Sequence, residues 1–341
     1  MSAYAELAVT TNFSFLRGAS HPEEFVERAE TLGLVGIGIA DRNSVAGVVR
    51  AHMKAKEKGL KFAPGARLVF ADGSPDILAY PQDRAAWGRL TRLLSLGKRR
   101  AEKGDCLLGL PDLLAYAEGL NLIVMPPARI HADKLHALFV RLQKAASKKS
   151  IWLAVSKLYR GDDVRRMARL AEIAKNAFVP LIAVNDVLYH VPERRALQDV
   201  VSCIREHTTI DRAGRLLEAN AERNLKSPAE MMRLFRKVPE AVEQTQHFID
   251  RCGFSLEALR GTEYPEETRK GFATSQDALI AFAKEGLDRR YPNGADPKVR
   301  HALNEELRLV GELGYAPFFL TVHDIVDFAR NEKQIDRKSV V

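Results

Sequence analysis

The chain has 341 residues, 46% of them hydrophobic and 28% charged, enough to bury a substantial core in one large α/β domain with a smaller appendage, or in two to three average domains. No apolar run reaches the roughly 20 residues that cross a bilayer, and the start, Met1-Ser2-Ala3-Tyr4-Ala5-Glu6, lacks the basic and apolar regions of a signal peptide, so the cytoplasm is the expected compartment. Cys106, Cys203 and Cys252 are widely spaced and odd in number, which argues against a disulfide framework or a cysteine zinc cluster, while a net charge of +8 favours an acidic partner such as nucleic acid.

Short apolar runs alternate with amphipathic stretches up to about residue 205. The expected strands are Ala5–Thr10, Gly36–Ala40, Lys61–Leu68, Asp76–Tyr80, Leu120–Met125, Ile151–Val155 and Leu181–Val184. The alternation predicts parallel strands with crossover helices, closed as a barrel or open as a doubly wound sheet. Ser20-His21-Pro22-Glu23 reads as a capping box, followed by an apolar stripe of Phe25, Ala29 and Leu32 that ends at Gly33. A second helix is expected from about Ser44 to Lys58, closed by Gly59. Trp87, Leu90, Leu93 and Leu94 share one helical face, as do Val164, Met167, Leu170, Ala171 and Ala174, and these stripes read as core. Lys98-Arg99-Arg100, with Lys103 nearby, and the stretch from Lys144 to Lys149 read as solvated helix ends.

Beyond residue 205 the strand pattern fades. Ser227-Pro228-Ala229-Glu230 opens a helix whose apolar side is Met231, Leu234 and Phe235. A loop-rich link from Leu259 through Gly261 and Pro265 to Gly271 precedes helices expected at about Ser275–Tyr291 and Pro297–Leu313. The aromatic-dense stretch from Gly314 to Asp324 then turns helical to about Arg330, and a second domain is expected to begin near residue 265.

Two carboxylates stand where α/β folds place chemistry, at the carboxyl ends of buried strands: Asp41 after Gly36-Ile37-Gly38-Ile39-Ala40, and Asp186 after Pro180-Leu181-Ile182-Ala183-Val184. The partners of a two-metal site are missing. Arg42 sits beside Asp41, Leu188 lies two residues past Asp186, and the first strand ends Ala8-Val9-Thr10 without a histidine. Two carboxylates without imidazole make a poor zinc or manganese site, so no bound metal is expected. His190 and His131 are the histidines placed to approach the pocket, although surface or capping roles suit both.

The order of these pieces resembles the amino-terminal region of bacterial DNA polymerases of the polymerase III alpha type, most closely their error-prone, damage-tolerant branch. The strings that carry it are Asn12-Phe13-Ser14-Phe15-Leu16-Arg17-Gly18-Ala19-Ser20-His21-Pro22-Glu23-Glu24, Leu197-Gln198-Asp199-Val200, Tyr291-Pro292-Asn293-Gly294, and Tyr315-Ala316-Pro317-Phe318-Phe319-Leu320-Thr321-Val322-His323-Asp324-Ile325-Val326. The resemblance implies that residues 1 to about 265 form a polymerase-and-histidinol-phosphatase (PHP) domain, a distorted TIM-like barrel, followed by a small, mainly helical start of the polymerase region over 266–330. It places the first strand's two metal-binding histidines on Ala8 and Thr10, an Asp-His pair on Asp41 and Arg42, a glutamate on Arg67, and an Asp-x-His on Asp186 and Leu188. The expected vestigial pocket is therefore Asp41, Arg42, Arg67 and Asp186. Two readings of it stay open. Either Arg42 and Arg67 point inward and supply the charge that metals would have given, or an arginine turns to solvent and Asp41 caps the helix near Ser44.

The implied activity is template-directed DNA synthesis in damage-induced mutagenesis, with primer-template DNA, deoxynucleotides and magnesium as partners of the whole polymerase. Its Gly-Arg-Gly-Ser phosphate cradle follows the segment matching Phe328-Ala329-Arg330, and its palm aspartates come later still, so no catalytic residue is expected within these residues. A non-catalytic scaffold or nucleic-acid-binding module is the alternative, and a metal-dependent phosphoesterase the less favoured one. For Phe318 and Phe319, packing of a loop onto a helix is expected. Residues 331–341 depart from the family pattern. One DNA encoding of Asp336-Arg337-Lys338-Ser339-Val340-Val341 is a common sequencing-adapter string followed by a stop, so this tail is expected to be non-native and mobile.

Overall fold

The computed structural model describes residues 3–259 and 271–332. Its strands are β1 (Ala5–Val9), β2 (Gly36–Arg42), β3 (Lys61–Leu68), β4 (Ile77–Pro81), β5 (Leu120–Val124), β6 (Ile151–Val155) and β7 (Leu181–Ala183), and they lie in that order in one sheet. β1, β2 and β3 are parallel, as are β5, β6 and β7, but β4 runs antiparallel to both its neighbours. This corrects the expectation of a wholly parallel sheet. The β3–β4 link contains no helix, and a connection that short cannot return the chain for a parallel strand.

Helices α1 (Pro22–Thr31) and α2 (Val48–Lys58) connect the first three strands. Helices α3 (Arg84–Arg99) and α4 (Leu110–Tyr116) precede β5, α5 (Ala132–Ala145) precedes β6, and α6 (Asp163–Ala177) precedes β7. Helices α7 (Arg195–Arg205), α8 (Ile210–Ala213), α9 (Pro228–Leu234) and α10 (Glu240–Asp250) complete the first unit.

The sheet curls until its edges meet. Thr10 N–H donates to the Val187 carbonyl at 2.9 Å, and Val187 N–H donates to that of Ala8 at 2.8 Å, so the two edges pair just beyond β1 and β7. Glu6 on β1 adds a second tie. Its carboxylate, 1% exposed, accepts from the N–H groups of Asn185 (2.9 Å), Ala8 (2.9 Å) and Leu7 (3.1 Å) and from the Tyr4 hydroxyl (2.6 Å). Burial raises its pKa, and four donors make that burial tolerable.

Alternation along the strands divides the core in two. One set, including Leu7, Ala63, Leu78, Ile123 and Ile182, faces the barrel interior, where α10 inserts Phe248. That ring stands edge-on to Tyr80 at 5.4 Å and to Trp152 at 4.8 Å. Gly38 and Gly65 make the space for Tyr80, because a Cβ at either position would come within 2.8 Å or 2.5 Å of its side chain. The other set packs against the surrounding helices through Phe25, Leu90, Leu93, Phe139, Leu142 and Leu170, each worth roughly 1.5–3 kcal/mol if fully buried. Cys252 also lies in the interior, and burial pushes its thiol up to about 12.

Local boundaries differ from the sequence pattern in small ways. The capping box of α1 sits one residue later, with His21 N–H donating to the Glu24 carboxylate at 2.8 Å, which frees Ser20 for another partner. Helix α2 begins at Val48 rather than Ser44, whose hydroxyl closes a turn by accepting from Ala46 N–H at 3.1 Å. Val164 is 59% exposed, whereas Met167, Leu170 and Ala174 are buried.

The chain divides into two compact units between Leu259 and Arg260, and the expected boundary near residue 265 lies outside the described residues. The second unit contains α11 (Ser275–Arg290), α12 (Pro297–Glu312) and α13 (Ala316–Asp327). Thr274 caps α11 by accepting from Asp277 N–H at 3.1 Å, and Gln276 Nε2 donates across to the Leu307 carbonyl of α12 at 2.8 Å. Phe282 of α11 stacks on His323 of α13 at 5.3 Å. Phe318 and Phe319 belong to α13 itself, with Pro317 in its first turn, so the expected loop there is already helix. The tail over 333–341 lies outside the described residues.

Candidate functional site

The carboxyl ends of the strands surround two adjoining cavities that share Arg67 and Asp76. The larger, 310 Å³, is lined by Asp186, Ser156, Arg160 and Arg166 among others. The smaller, 200 Å³, is lined by Thr10, Arg42 and Leu188 and by residues of α7 and the loops around it.

Asp186 is the hub of the larger cavity. Its backbone is left-handed, at φ 47°, a conformation aspartate tolerates better than most residues and one that clusters at sites under constraint. Arg223 holds it there from two directions, donating from Nε to the Asp186 carbonyl at 2.7 Å and from Nη2 to Oδ2 at 2.6 Å. Arg67 Nη2 donates to the other carboxylate oxygen, Oδ1. The ring of charge extends outward, since Arg223 Nη1 also meets Glu218 at 2.6 Å and Arg67 Nη1 lies 3.7 Å from Asp76. Burial alone would raise the Asp186 pKa, but Arg223 and Arg67 outweigh it and hold the carboxyl below its ordinary value. For Arg67 burial works the other way, and Asp186 and Asp76 again win, raising the guanidinium pKa.

Asp41 does something different, and neither sequence reading of it matches. It is fully buried and lines neither cavity. Its Oδ1 accepts from Thr11 N–H at 2.8 Å and the Ser14 hydroxyl at 2.7 Å, and its Oδ2 accepts from the Thr11 hydroxyl at 2.8 Å. It therefore braces the turn after β1 rather than capping α2 or pairing with Arg42. Burial raises its pKa, partly offset by those donors. Arg42, despite being adjacent in sequence, lines the smaller cavity and forms no ion pair among the described residues.

The histidines lie elsewhere. His190 Nδ1 is 2.8 Å from the Ser20 hydroxyl and 4.0 Å from Glu24, and its ring meets the edge of Phe25. His131 is exposed at the start of α5. Among the described residues no three His, Cys, Asp or Glu side chains gather where they could hold one metal ion. This donor set does not fit a divalent cation: each oxygen of Asp186 is already bonded to a guanidinium, and Asp41 is enclosed by its own donors.

Arg223 and Glu218 were not legible in the sequence. They sit in the loop after α8, and strand-like pairing of Tyr189 with Asn224, with Leu188 N–H donating to the Arg223 carbonyl at 2.9 Å, brings that loop beside Asp186. No motif marks them, because the contact depends on where a loop 37 residues away returns.

Comparison with known proteins follows the same two units. Residues 6–160 match the PHP domain, and residues 277–336 match the bacterial DNA polymerase III alpha NTPase domain. An error-prone DNA polymerase of Rhodopseudomonas palustris (strain BisB5) is 53% identical over 334 residues, covering 97% of this chain and 30% of that protein. The error-prone DNA polymerase of Caulobacter vibrioides is 50% identical over 328 residues, covering 96% of this chain and 30% of the relative. That of Sinorhizobium medicae is 50% identical over 333 residues, at 97% and 30%. The chain thus spans about 30% of the length of the relatives it matches. With a PHP unit followed by a polymerase III alpha segment, and half or more of its aligned residues identical to these relatives, the chain is similar along nearly its whole length to error-prone DNA polymerases, of which it spans about 30%.

Proposed function

We propose that this chain is the amino-terminal part of an error-prone DNA polymerase acting in damage-induced mutagenesis and translesion synthesis in the cytoplasm. In this reading the palm beyond these residues carries template-directed nucleotidyl transfer, using magnesium, deoxynucleotides and primer-template DNA. The observation that carries it is continuous identity of about half along 97% of the chain, through both units.

The vestigial pocket, expected from Asp41, Arg42, Arg67 and Asp186 and built around Arg67 and Asp186 while Asp41 braces the neighbouring turn, fits a structural role. Guanidinium groups on Asp186 replace the positive charge of a metal with fixed forks suited to a carboxylate. The fold is thereby stabilised while phosphoester hydrolysis loses its Lewis acid. The second unit suits a continuing polypeptide, since α13 leaves Val322, Ile325 and Val326 42%, 64% and 41% exposed.

Primer extension tests the reading. The gene is cloned from its genomic locus, and its full product is compared with the 341-residue chain on undamaged and lesion-bearing templates. The full product should extend primers past lesions, and the short chain should extend none under any metal condition, because in-line phosphoryl transfer needs metal-bridging carboxylates and a phosphate cradle. A genomic stop after residue 341, or extension by the purified short chain, would overturn it.

A further inference from the structure

We propose that the 200 Å³ cavity lined by Arg17, Arg42 and Arg205 is a metal-independent binding site for a phosphate group. The inference is independent of whether a palm follows. Five arginines line this cavity, Arg17, Arg42, Arg67, Arg205 and Arg223, against two carboxylates, Asp76 and Glu218. Two of the five are already committed: Arg67 and Arg223 hold Asp186, and Arg223 also holds Glu218. Arg205 is oriented but not exhausted, with Nε on Glu206 at 2.8 Å and Nη1 on the Leu16 carbonyl at 2.9 Å. Arg17 and Arg42 form no ion pair among the described residues, and the carboxylates that act on them are Glu206, itself paired with Arg205, for Arg17 and Asp76, which also serves Arg67, for both.

A folded protein does not gather like charges in a partly buried cavity without cost. The tension is visible at Arg17, whose pKa is lowered by burial and then by Arg42 and Arg205. An anion among these groups would relieve it, and planar forks match phosphate oxygens. Polar groups that suit the remaining oxygens are present: Thr10, Ser202 and Gln198 line the same cavity, and the last two are 7% and 3% exposed. At about 30 Å³ per water, the 200 Å³ volume equals that of roughly seven waters, room for a tetrahedral oxyanion or a diphosphate.

The arginines are also held in place. Asp41 braces the turn from Thr11 to Ser14, Arg17 N–H donates to the Ser14 carbonyl at 2.9 Å, and Arg42 N–H donates to the Ser14 hydroxyl at 2.8 Å. One buried carboxylate thus positions two of the three cationic walls. Arg17, Arg42 and Arg205 also line a wider groove of 790 Å³ that carries Lys98 and the side chain of Phe15, 81% exposed. A phosphate borne on a longer molecule would have a path out along that groove, with an aromatic face for a base to stack on.

Titration calorimetry on the 341-residue chain, with EDTA present, tests the site using inorganic phosphate, pyrophosphate, and a short single-stranded oligonucleotide with and without a terminal phosphate. At least one phosphate species should bind saturably, and the double variant R17Q/R42Q should weaken it about tenfold or more, since two charged donors to the anion are lost. R205Q, whose melting temperature is checked alongside, should show a loss in the same direction and covers the case in which the double variant misfolds. Pyrophosphate binding as tightly as the phosphorylated strand identifies a free ligand. A phosphorylated strand binding tighter than both pyrophosphate and its hydroxyl counterpart identifies a strand end. Absence of saturable binding by every phosphate species, or equal binding by parent and folded variants, would overturn the proposal.

Discussion

Replacing Asp186 with alanine tests the charge hub directly. The substitution leaves Arg67 and Arg223, whose side chains are 14% and 12% exposed, facing each other without the carboxylate they share. Removing one partner of a buried ion pair costs about 3–5 kcal/mol. Two features place this case at the lower end. The Asp186 side chain is 18% exposed, and each arginine keeps a second carboxylate, Asp76 at 3.7 Å for Arg67 and Glu218 at 2.6 Å for Arg223. A loss of about 3 kcal/mol corresponds to a fall in melting temperature of roughly 6–12 °C for a domain of this size. Differential scanning calorimetry on the D186A chain measures it, with R42A as the comparison, because Arg42 forms no ion pair among the described residues and its loss should stay within about 0.5 kcal/mol. A double-mutant cycle of D186A with R67A then separates pairing from shape. A melting temperature within about 2 °C of the parent for D186A, or additivity in the cycle, would refute the hub.

Further outcomes follow from the same geometry. Asp41→Ala removes the acceptor of three hydrogen bonds and should cost about 1–3 kcal/mol, with faster proteolytic nicking of the Thr11–Ser14 turn as the accompanying readout. Acid unfolding should depend on Asp186: its depressed folded pKa contributes stability that is full above the unfolded aspartate value of about 3.9 and is lost as pH falls through the folded one, so D186N should show a shallower acid loss. Glu6 and Asp41, raised by burial, act with the opposite sign and gain relative stability as pH falls, which a parent curve lacking any offset would contradict. Gly65→Ala should destabilise by about 1–3 kcal/mol or more, because the new methyl meets Tyr80, and a neutral calorimetric result would show that the ring can move. Elemental analysis after dialysis should find no stoichiometric transition metal, and two or more retained ions per chain would sink the metal-free reading.

The sequence by itself determined a good deal. Hydrophobic runs placed the seven strands seen among the described residues, the strand ends were seen to carry Thr10, Arg42, Arg67 and Leu188, none of them a usual metal ligand, and family strings such as Tyr315-Ala316-Pro317-Phe318-Phe319 pointed to the polymerase relatives. These features are local, so spacing and residue type suffice to reveal them. What required tertiary structure was the partner of each charge. Arg42 is next to Asp41 in the chain, yet successive strand residues point to opposite faces, and Asp41 turned to Thr11 and Ser14 while Arg42 turned to the cavity. Arg223 reaches Asp186 only because a loop returns beside the closed barrel, and the direction of β4 depended on the length of a link rather than on its composition. Pairing across such distances is set by chain closure and packing, which no window of sequence contains.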